Sequence, residues 1–402
     1  MADPWLRWRA MLSERALPAA VVDLDALERN VDRLVEALGE GPTTLRIASK
    51  SVRHPGLLRR ILDRCGSRGR GLLCYSAEEA ALLAREGFDD LLIAYPIAGA
   101  PAARIVASLV AGGHRVWATV DCSEQVQLIA EAAAEAGTIV ELCLDIDLSW
   151  RPLGGVVHLG VRRSPIRSGA SAIHLAEAVA EQPAVRLTAV LAYEAAVAGV
   201  QDRNPGSRLL DPIRGLIKRR SRPLAVARRR EILESLWGIG IVPEVVNGGG
   251  TGSVSSTASD PLVTEVAAGS GFLCPHLFDG YRGLELEPAV FFALPVVRRS
   301  DPDHVTCFGG GYVASGAAGR DRLPRVHCPR GLTPVELEGF GEVQTPLRWR
   351  GQGAAPGLGE PVVCRHAKAG ELAERFSTYL LARGDRIEAE EPTYRGLGGS
   401  FG

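Results

Sequence analysis

Short apolar runs alternate with amphipathic helical patterns between about residue 20 and residue 275. The first run, Ala19–Asp23, is followed by a helical pattern whose first turn Asp23 or Asp25 can cap. The second run, 45–49, precedes a helical pattern over Pro55–Cys65. Each run is therefore expected to be a strand that leads into a helix.

The same alternation recurs further along the chain. Ser76 and Glu79 have the spacing of a capping box, which predicts a helix that begins there. Further strands are expected at 71–75, 90–95, 116–120, 139–146, 187–193 and 243–247. Because about eight strands alternate with helices, the pattern predicts an α/β fold, a (β/α)8 TIM-like barrel over residues 18–275.

The pattern changes after Gly271, where short strand-like runs are separated by Gly and Pro. These runs lie at 288–298, 304–308, 325–328, 333–339 and 361–366, and a helical pattern follows at 370–376. Residues 276–402 are therefore predicted to form a smaller β-rich domain that completes the site, with 1–17 as a candidate addition to it.

Composition and charge narrow the function classes. The 402 residues carry 46 basic and 47 acidic side chains, so no overall field recruits nucleic acid or an anionic membrane. The Arg-rich segment 203–230 is interpreted as a solvated helix face or an insertion. No apolar stretch approaches the length of a membrane span, and the eight cysteines form no C-x-x-C pair. A soluble, cytoplasmic protein with reduced thiols is expected.

Lys50 is the first candidate for chemistry. It stands at the end of the strand-like run 45–49 and directly before a helix, so its amine is predicted to face a loop at the carboxyl end of a barrel strand. A lysine in that place can hold an aldehyde cofactor covalently. The alternative is a surface lysine in a loop.

Two glycine-containing segments follow late strands of the predicted barrel. The first is Asn247, Gly248, Gly249, Gly250 and Thr251, and the second is Gly269, Ser270 and Gly271. Glycine lets backbone N–H groups approach an anion closely, and loops after strands seven and eight of a barrel commonly bind phosphate. Together with Lys50, the two segments predict a pyridoxal 5'-phosphate site.

The chain resembles the fold-type III pyridoxal phosphate enzymes, which have an alanine racemase-like barrel, and within them the D-threonine aldolase and D-serine dehydratase group. The segments that carry the resemblance are 46–50, 193–194, 247–251, 268–272, 309–312 and 362–366. The resemblance spans most of the chain. It implies a Schiff base on Lys50 and a small amino acid substrate, and it suggests a homodimer in which Asp279, Tyr281 or Tyr312 acts on the neighbouring subunit.

The resemblance also implies roles for the residues around the cofactor. Gly249, Gly250, Thr251, Gly269 and Ser270 would hold the phosphate, and Asn247 would line the same place. Tyr193 would lie near the cofactor ring, with a barrel-core aromatic as the alternative.

Two further positions carry alternatives. His54 matches a phosphate-contacting tyrosine of a related racemase branch, and a histidine at a helix N-terminus is the other interpretation. Where the family has an arginine near the ring, this chain has His158, and Arg162 is the candidate replacement, with a surface arginine as its alternative.

The chain departs from the group in the second domain. Members that cleave or dehydrate β-hydroxy-D-amino acids resemble one another in a His-x-Cys or His-x-Asp pair that binds a divalent metal, whereas this chain has His366 and Lys368. A protonated lysine is a poor metal ligand. Either His366 recruits a metal with Cys364, Glu371 or Asp279, or no metal binds and Lys368 supplies the charge. The second alternative is favoured, with His366 as general base.

Three functions follow from these expectations. The first is a lyase that acts on a β-hydroxy-D-amino acid by aldol cleavage, aldol formation or dehydration through Lys50, with Lys50, His366, Lys368 and Tyr193 as catalytic residues. The second is a racemase or decarboxylase on the same fold, with His366 or Tyr312 as the second acid/base. The third is a protein that binds pyridoxal phosphate without turnover.

Overall fold

The computed structural model of the chain describes residues 4–203 and 205–401. It begins with helix α1 (Pro4–Leu12), strand β1 (Ala19–Asp23) and helix α2 (Leu24–Glu36). Asp23 is the cap of α2, because its carboxylate accepts a hydrogen bond from the backbone N–H of Ala26 at 3.0 Å.

Eight parallel strands then close into a barrel. They are β2 (Thr44–Ala48), β3 (Gly69–Cys74), β4 (Leu91–Ile93), β5 (Val116–Val120), β6 (Val140–Asp145), β7 (Val185–Ala192), β8 (Val245–Gly248) and β9 (Glu265–Ala268). The last strand, β9, pairs with the first, β2, so the sheet has no free edge. The predicted (β/α)8 TIM-like barrel is confirmed.

Helices connect the barrel strands and cover the outside. They are α3 (Pro55–Cys65), α4 (Ala77–Arg85), α5 (Ala100–Ala111), α6 (Ser123–Glu135), α7 (Gly169–Ala180), α8 (Ala195–Ala198), α9 (Asp211–Gly238), α10 (Val254–Ala258) and α11 (Ser270–Leu273). Most of the Arg-rich segment lies on α9, with Arg219 and Arg230 exposed and Arg229 buried. None of the helices within the described ranges is both long and apolar enough to cross a membrane.

The first predicted strand does not belong to the barrel. β1 pairs antiparallel with β10 (Val290–Asp301) and parallel with β16 (Thr378–Arg383), both in the second sheet. Val21 packs with Trp8 of α1 and Phe291 of β10, whereas Ala20 and Val22 pack in the main core. The apolar run predicted a buried strand, but it did not predict which of the two sheets the strand would join.

The second sheet has nine strands, and β1 lies near its centre. Besides β10 and β16 it contains β11 (His304–Phe308), β12 (Arg325–Cys328), β13 (Leu332–Pro334), β14 (Gln344–Trp349), β15 (Pro361–Arg365) and β17 (Arg386–Pro392). The predicted β-rich character is confirmed, although β14, β16 and β17 were not predicted. The helical pattern at 370–376 gives only the single-turn helix α12 (Ala369–Leu372).

A buried ion cluster lies inside the barrel. The Arg46 guanidinium is fully buried and contacts Glu265 at 2.6 Å and Asp90 at 2.7 Å, above the ring of Trp117. Glu265 also accepts a hydrogen bond from the Asn247 amide at 2.8 Å. Each charge in the cluster is paired, which is the condition for ions at this depth. The cluster joins β2, β8 and β9 below the end of the barrel where their loops emerge.

A buried carboxyl connects the barrel to the C-terminal segment. Glu79 on α4 accepts a hydrogen bond from the backbone N–H of Tyr75 at 2.6 Å and another from the Tyr394 hydroxyl at 2.9 Å. The Ser76 side chain caps α4 as predicted, but the Glu79 carboxyl binds Tyr75 in place of Ser76. Burial raises the pKa of Glu79 from 4.5 to about 7, although hydrogen bonds from these neighbours oppose the shift.

This raised pKa predicts a pH-dependent stability. Since the carboxyl holds its proton more tightly in the folded chain, its stabilising contribution is complete below pH 4.5 and is lost as pH rises through about 7. Glu79→Gln keeps a neutral hydrogen-bonding side chain and removes this titration. The difference in unfolding free energy between wild type and Glu79→Gln, from urea titrations, should change by about 2 kcal/mol between pH 5 and pH 8 in favour of the variant. If the unfolding free energies of the two proteins change with pH in parallel, the prediction is contradicted.

Candidate active site

Lys50 lies at the mouth of the barrel, in a single helical turn (Ser49–Ser51) that directly follows β2. Its amine donates a hydrogen bond to the Tyr95 hydroxyl at 2.6 Å. Burial of the Tyr95 phenol favours its neutral form, but the positive charges of Lys50 and Arg163 outweigh burial and lower the pKa of Tyr95. The amine is therefore held in one direction by a residue that the sequence analysis did not identify.

A cavity of about 250 Å³ opens beside Lys50. The loops after β2, β7, β8 and β9 supply most of its walls. The residues proposed from sequence that line it are Lys50, Tyr193, Asn247, Gly249, Gly250, Thr251, Gly269 and Ser270. The structure thus brings together side chains separated by more than two hundred positions. We call this space the inner cavity.

Two glycine turns lie side by side in the wall of the inner cavity, where the Gly271 N–H donates to the Thr251 hydroxyl at 3.0 Å. Gly249 has a φ of +73°, a left-handed conformation that favours glycine. A side chain at Gly269 would lie 2.8 Å from the Ala48 carbonyl oxygen and from the Ser51 hydroxyl. The Ser51 and Ser270 hydroxyls are 3.1 Å apart. The turns therefore present backbone groups and hydroxyls at close range, a surface suited to an anion.

A buried ion network supports the first glycine turn from behind. The backbone N–H of Gly249 donates to the Glu194 carboxylate at 2.6 Å, and Glu194 pairs with the buried Arg229. Arg229 also contacts Asp260 at 2.5 Å. Arg229 belongs to the Arg-rich segment, but it supports the site through these ion pairs. It differs from its exposed neighbours because it lies on the inward face of α9.

Arg163, and not Arg162, lies beside the aromatic wall of the inner cavity. Its guanidinium carbon lies 5.6 Å from the ring centroid of Tyr193 and 5.5 Å from that of Tyr95. Both distances are typical of cation–π contacts. Burial raises the pKa of Tyr193, so its hydroxyl is neutral. Arg163 lines the inner cavity and Arg162 does not, so the arginine beside the aromatic wall is the one that follows the predicted position.

A second cavity of about 240 Å³ adjoins the first and shares the aromatic wall. It contains Asp121 and Asp145. Burial and the nearby Asp121 charge raise the pKa of Asp145 to about 7, and Arg163 opposes this shift. The sequence analysis missed this carboxyl, since an aspartate at the end of a strand gives no distinguishing pattern.

The structure places His54 outside the residues that line these cavities. Its Nδ1 atom accepts a hydrogen bond from the backbone N–H of Leu57 at 3.1 Å and caps α3. The ring stacks on Tyr379 at 5.6 Å, and burial lowers the pKa of His54 to about 4. Its position corresponds to the helix N-terminal alternative.

The second domain closes a larger outer cavity of about 580 Å³ over Lys50. Lys368 and Glu371 line it, together with Ser270 of the barrel. The Lys368 amine donates to the Ser315 hydroxyl at 2.8 Å and lies 3.3 Å from the Glu371 carboxylate. Lys368 therefore faces Lys50 across a shared space.

His366 lies beneath Lys368 and does not line the outer cavity. Only 2% of His366 is exposed, and its Nδ1 atom accepts a hydrogen bond from the Lys368 backbone N–H at 3.1 Å. Burial lowers the pKa of His366. Its ring is thus fixed in the protein interior by the local backbone.

The candidate metal ligands of the sequence analysis do not converge. Cys364 is fully buried and burial raises the pKa of its thiol, Asp279 pairs with Arg365 at 2.7 Å, and Glu371 binds Ser315. Within residues 4–203 and 205–401, no three His, Cys, Asp or Glu side chains form a group that could hold a metal ion. The residues present do not fit a metal centre.

Comparisons with known proteins agree with the barrel assignment. Residues 22–211 match the family described as alanine racemase, N-terminal domain. A 3-hydroxy-D-aspartate aldolase of Paracoccus denitrificans (strain Pd 1222) is 26% identical over 259 residues, which is 64% of this chain and 60% of that protein. A D-threonine aldolase of Arthrobacter sp is 24% identical over 73% of this chain and 71% of its own length. The chain thus aligns with only part of each relative.

Solved structures share the complete fold. The D-threonine aldolase from Filomicrobium marinum superposes with a TM-score of 0.80 at 22% identity, over 96% of both chains. D-threo-3-hydroxyaspartate dehydratase from Delftia sp. HT23 has a TM-score of 0.72 at 19% identity, over 95% of this chain and 98% of that one. Residues 22–211 therefore resemble the alanine racemase N-terminal domain family, and the chain shares the fold of these solved structures.

Proposed function

We propose that the chain is a pyridoxal phosphate-dependent lyase that acts on a β-hydroxy-D-amino acid. The observation that carries the proposal is the meeting of Lys50 with two glycine turns in one cavity, beneath a second-domain lysine, Lys368. An amine, an anion cradle and a polar group above them are the parts that such chemistry requires. The activities in the names of the similar proteins support the same reaction class.

The inner cavity fits pyridoxal phosphate. The phosphate would be held by Gly249, Gly250, Thr251, Gly269 and Ser270, with Ser51 as an additional hydroxyl. Close approach is required there, because a side chain on Gly250 would come within 3.1 Å of the Ala198 side chain and 3.4 Å of the Tyr193 ring. Tyr193 and Arg163 would lie beside the cofactor ring, and Asn247 would line its floor.

Pyridoxal phosphate, when bound, provides an electron sink for bonds at the Cα atom of an amino acid. Lys50 would hold the cofactor through its amine until an amino acid takes that place. The freed Lys50 amine can then move a proton at Cα, and Tyr95 fixes the direction from which it acts. The aromatic wall excludes water from this side.

Lys368 would supply positive charge near the substrate's β-oxygen in place of a metal. Its amine already has oxygen partners in Ser315 and Glu371. The His366 ring does not line the outer cavity. Its proposed role is to hold the Lys368 backbone through the hydrogen bond to Nδ1.

The proposal extends to the assembly of the protein. Residues 18–275 would bind the cofactor and residues 276–402 would complete the site, with β1 as a strand that joins the two parts. We further propose a cytoplasmic homodimer in which the outer cavity is completed by a second copy. In one protomer, Tyr281 lines the inner cavity and donates to the Ala198 carbonyl oxygen at 3.1 Å.

Lys50 can be tested as the cofactor lysine without ambiguity, because the chain has only three lysines, Lys50, Lys218 and Lys368. After borohydride reduction of the cofactor-loaded protein, peptide mass spectrometry should find the cofactor on Lys50 alone. Lys50→Ala should lose both the label and the visible absorbance of a lysine-bound cofactor. Lys218→Met removes a lysine that pairs with Asp202 and lines neither cavity, so it is the matched control and should keep both. A label on Lys368 would contradict the assignment.

The reaction class is tested with D-threonine, D-serine and their β-substituted derivatives. We expect release of an aldehyde or a keto acid from at least one D-isomer, and at least tenfold less from the matching L-isomer, because the two cavities form a chiral site. Liquid chromatography of the products measures both. Loss of optical activity without either product would favour the racemase alternative.

Metal dependence provides a separate test. The candidate metal ligands bind different protein groups and do not form one site. Dialysis against a chelator should therefore leave kcat/KM within about twofold of its starting value. Elemental analysis should find less than one metal ion per chain. One tightly bound zinc or manganese per chain, removed together with activity, would reject this part of the proposal.

A further inference from the structure

Ser315, Lys368 and Glu371 form a hydrogen-bonded unit at the second-domain side of the outer cavity. The Ser315 hydroxyl accepts a hydrogen bond from the Lys368 amine at 2.8 Å and donates one to the Glu371 carboxylate at 2.5 Å. The Ser315 backbone N–H donates to the same carboxylate at 2.8 Å. These hydrogen bonds attach the loop between β11 and β12, which contains Ser315, to the segment that contains Lys368 and Glu371.

The unit has a fixed place relative to Lys50. Gly370 lies between Lys368 and Glu371, and a side chain there would come within 1.9 Å of the Lys50 carbonyl oxygen and 2.8 Å of the Ser51 Cα atom. The two backbones are therefore in direct contact. Lys50, Lys368 and Glu371 line the same cavity.

Asp321 also lines the outer cavity and lies 3.6 Å from the Arg322 guanidinium. Two other candidates for acid–base work are less accessible. His366 is buried below the cavity, and the Tyr312 ring packs between Phe292 and Phe376 with centroid distances of 5.0 and 5.5 Å. Arg53, which also lines the outer cavity, pairs with Glu374 at 2.5 Å. Lys368 and Glu371 line the cavity, and the exposed Ser315 hydroxyl joins them through hydrogen bonds.

We propose, on the basis of the function proposed above, that this unit acts on the β-oxygen of the substrate and directs the enzyme to aldol cleavage. Lys368 donates a hydrogen bond to the oxygen. Ser315 takes the proton of the β-hydroxyl while it passes its own proton to Glu371. Lys368 and Ser315 are catalytic residues in this scheme, and Glu371 is the proton acceptor behind them.

The bonds balance within the substrate and these residues. The O–H pair becomes the second carbon–oxygen bond of the released aldehyde, and the Cα–Cβ bond breaks with its pair left on Cα. A proton from Lys50 then replaces the lost carbon at Cα. Glu371 then releases its proton to solvent and Lys50 takes one up, so the net change is one amino acid split into an aldehyde and a shorter amino acid.

The charge state of Glu371 suits a group that accepts a proton. Burial opposes ionisation of this carboxyl, but hydrogen bonds from the Ser315 hydroxyl and N–H and the charge of Lys368 outweigh burial and lower the pKa of Glu371. At neutral pH it is a carboxylate, ready to receive a proton. Dehydration requires the opposite, a proton given to the leaving hydroxyl.

The experiment compares two reactions of the same cofactor-loaded protein. Exchange of the Cα proton of D-alanine for solvent deuterium needs Lys50 and the cofactor but no β-oxygen. Cleavage of a β-hydroxy-D-amino acid needs the unit as well. Both are followed by proton nuclear magnetic resonance in Ser315→Ala, Ser315→Thr, Glu371→Gln and Lys368→Met. Glu336→Gln is the matched control, because Glu336 is an exposed second-domain carboxylate paired with Arg320 outside the cavity.

Ser315→Ala, Glu371→Gln and Lys368→Met should each lower kcat for cleavage by about 100-fold and leave deuterium exchange within about twofold. Ser315→Thr keeps a hydroxyl and should recover most of the cleavage rate. The thermal unfolding midpoint of the cofactor-free variants should equal that of wild type, and Glu336→Gln should match wild type throughout.

The outcomes separate this inference from the proposed function. If wild type cleaves the substrate and the variants cleave equally well, or if exchange falls together with cleavage, the inference alone is overturned. If wild type exchanges the D-alanine proton but yields only keto acid, the unit does not direct cleavage and the inference fails while a lyase remains. If wild type neither exchanges nor releases a product, the proposed function fails with it.

Discussion

Closure of the barrel is the constraint on which the site depends. β2 and β9 pair in parallel, with Thr44 opposite Glu265 and Ile47 opposite Ala268. Because parallel strands end at the same edge, the turn after β2 and the turn after β9 emerge side by side. Lys50 and Ser270 are neighbours for this reason alone. A slip in this pairing would move the amine away from the glycine turns and remove the cavity between them.

Buried charge makes that closure rigid. Arg46 joins β2 to β9 through Glu265, and Glu265 continues to Asn247 on β8. Arg229 joins α9 to Glu194 and so to the Gly249 turn. Removal of one partner from such a cluster leaves a buried charge without compensation and costs about 3–5 kcal/mol. These networks lie directly below and behind the inner cavity, so they hold backbone groups in place before any ligand arrives.

In the proposed function, two different parts of the chain would determine the cofactor and the reaction. The barrel provides the amine, the anion cradle and the aromatic wall, which together suit one cofactor and many reactions. The second domain places Lys368 and Glu371 over that cofactor site, and contact between Gly370 and the Lys50 turn fixes the distance. A change of residues after β15 can therefore alter the reaction while the cofactor site stays as it is.

The sequence by itself determined the barrel, the β-rich second domain, Lys50 and the two glycine segments, because each depends on local pattern or on residue type at a strand end. Only the tertiary structure decided which sheet contains β1, because a buried strand has the same apolar sequence pattern in either sheet. It also decided that Arg163 and not Arg162 faces the cavity, that His54 caps a helix, and that His366 is buried while Ser315 binds Lys368. Those outcomes depend on side-chain direction and on contacts between distant segments, and no local pattern records either.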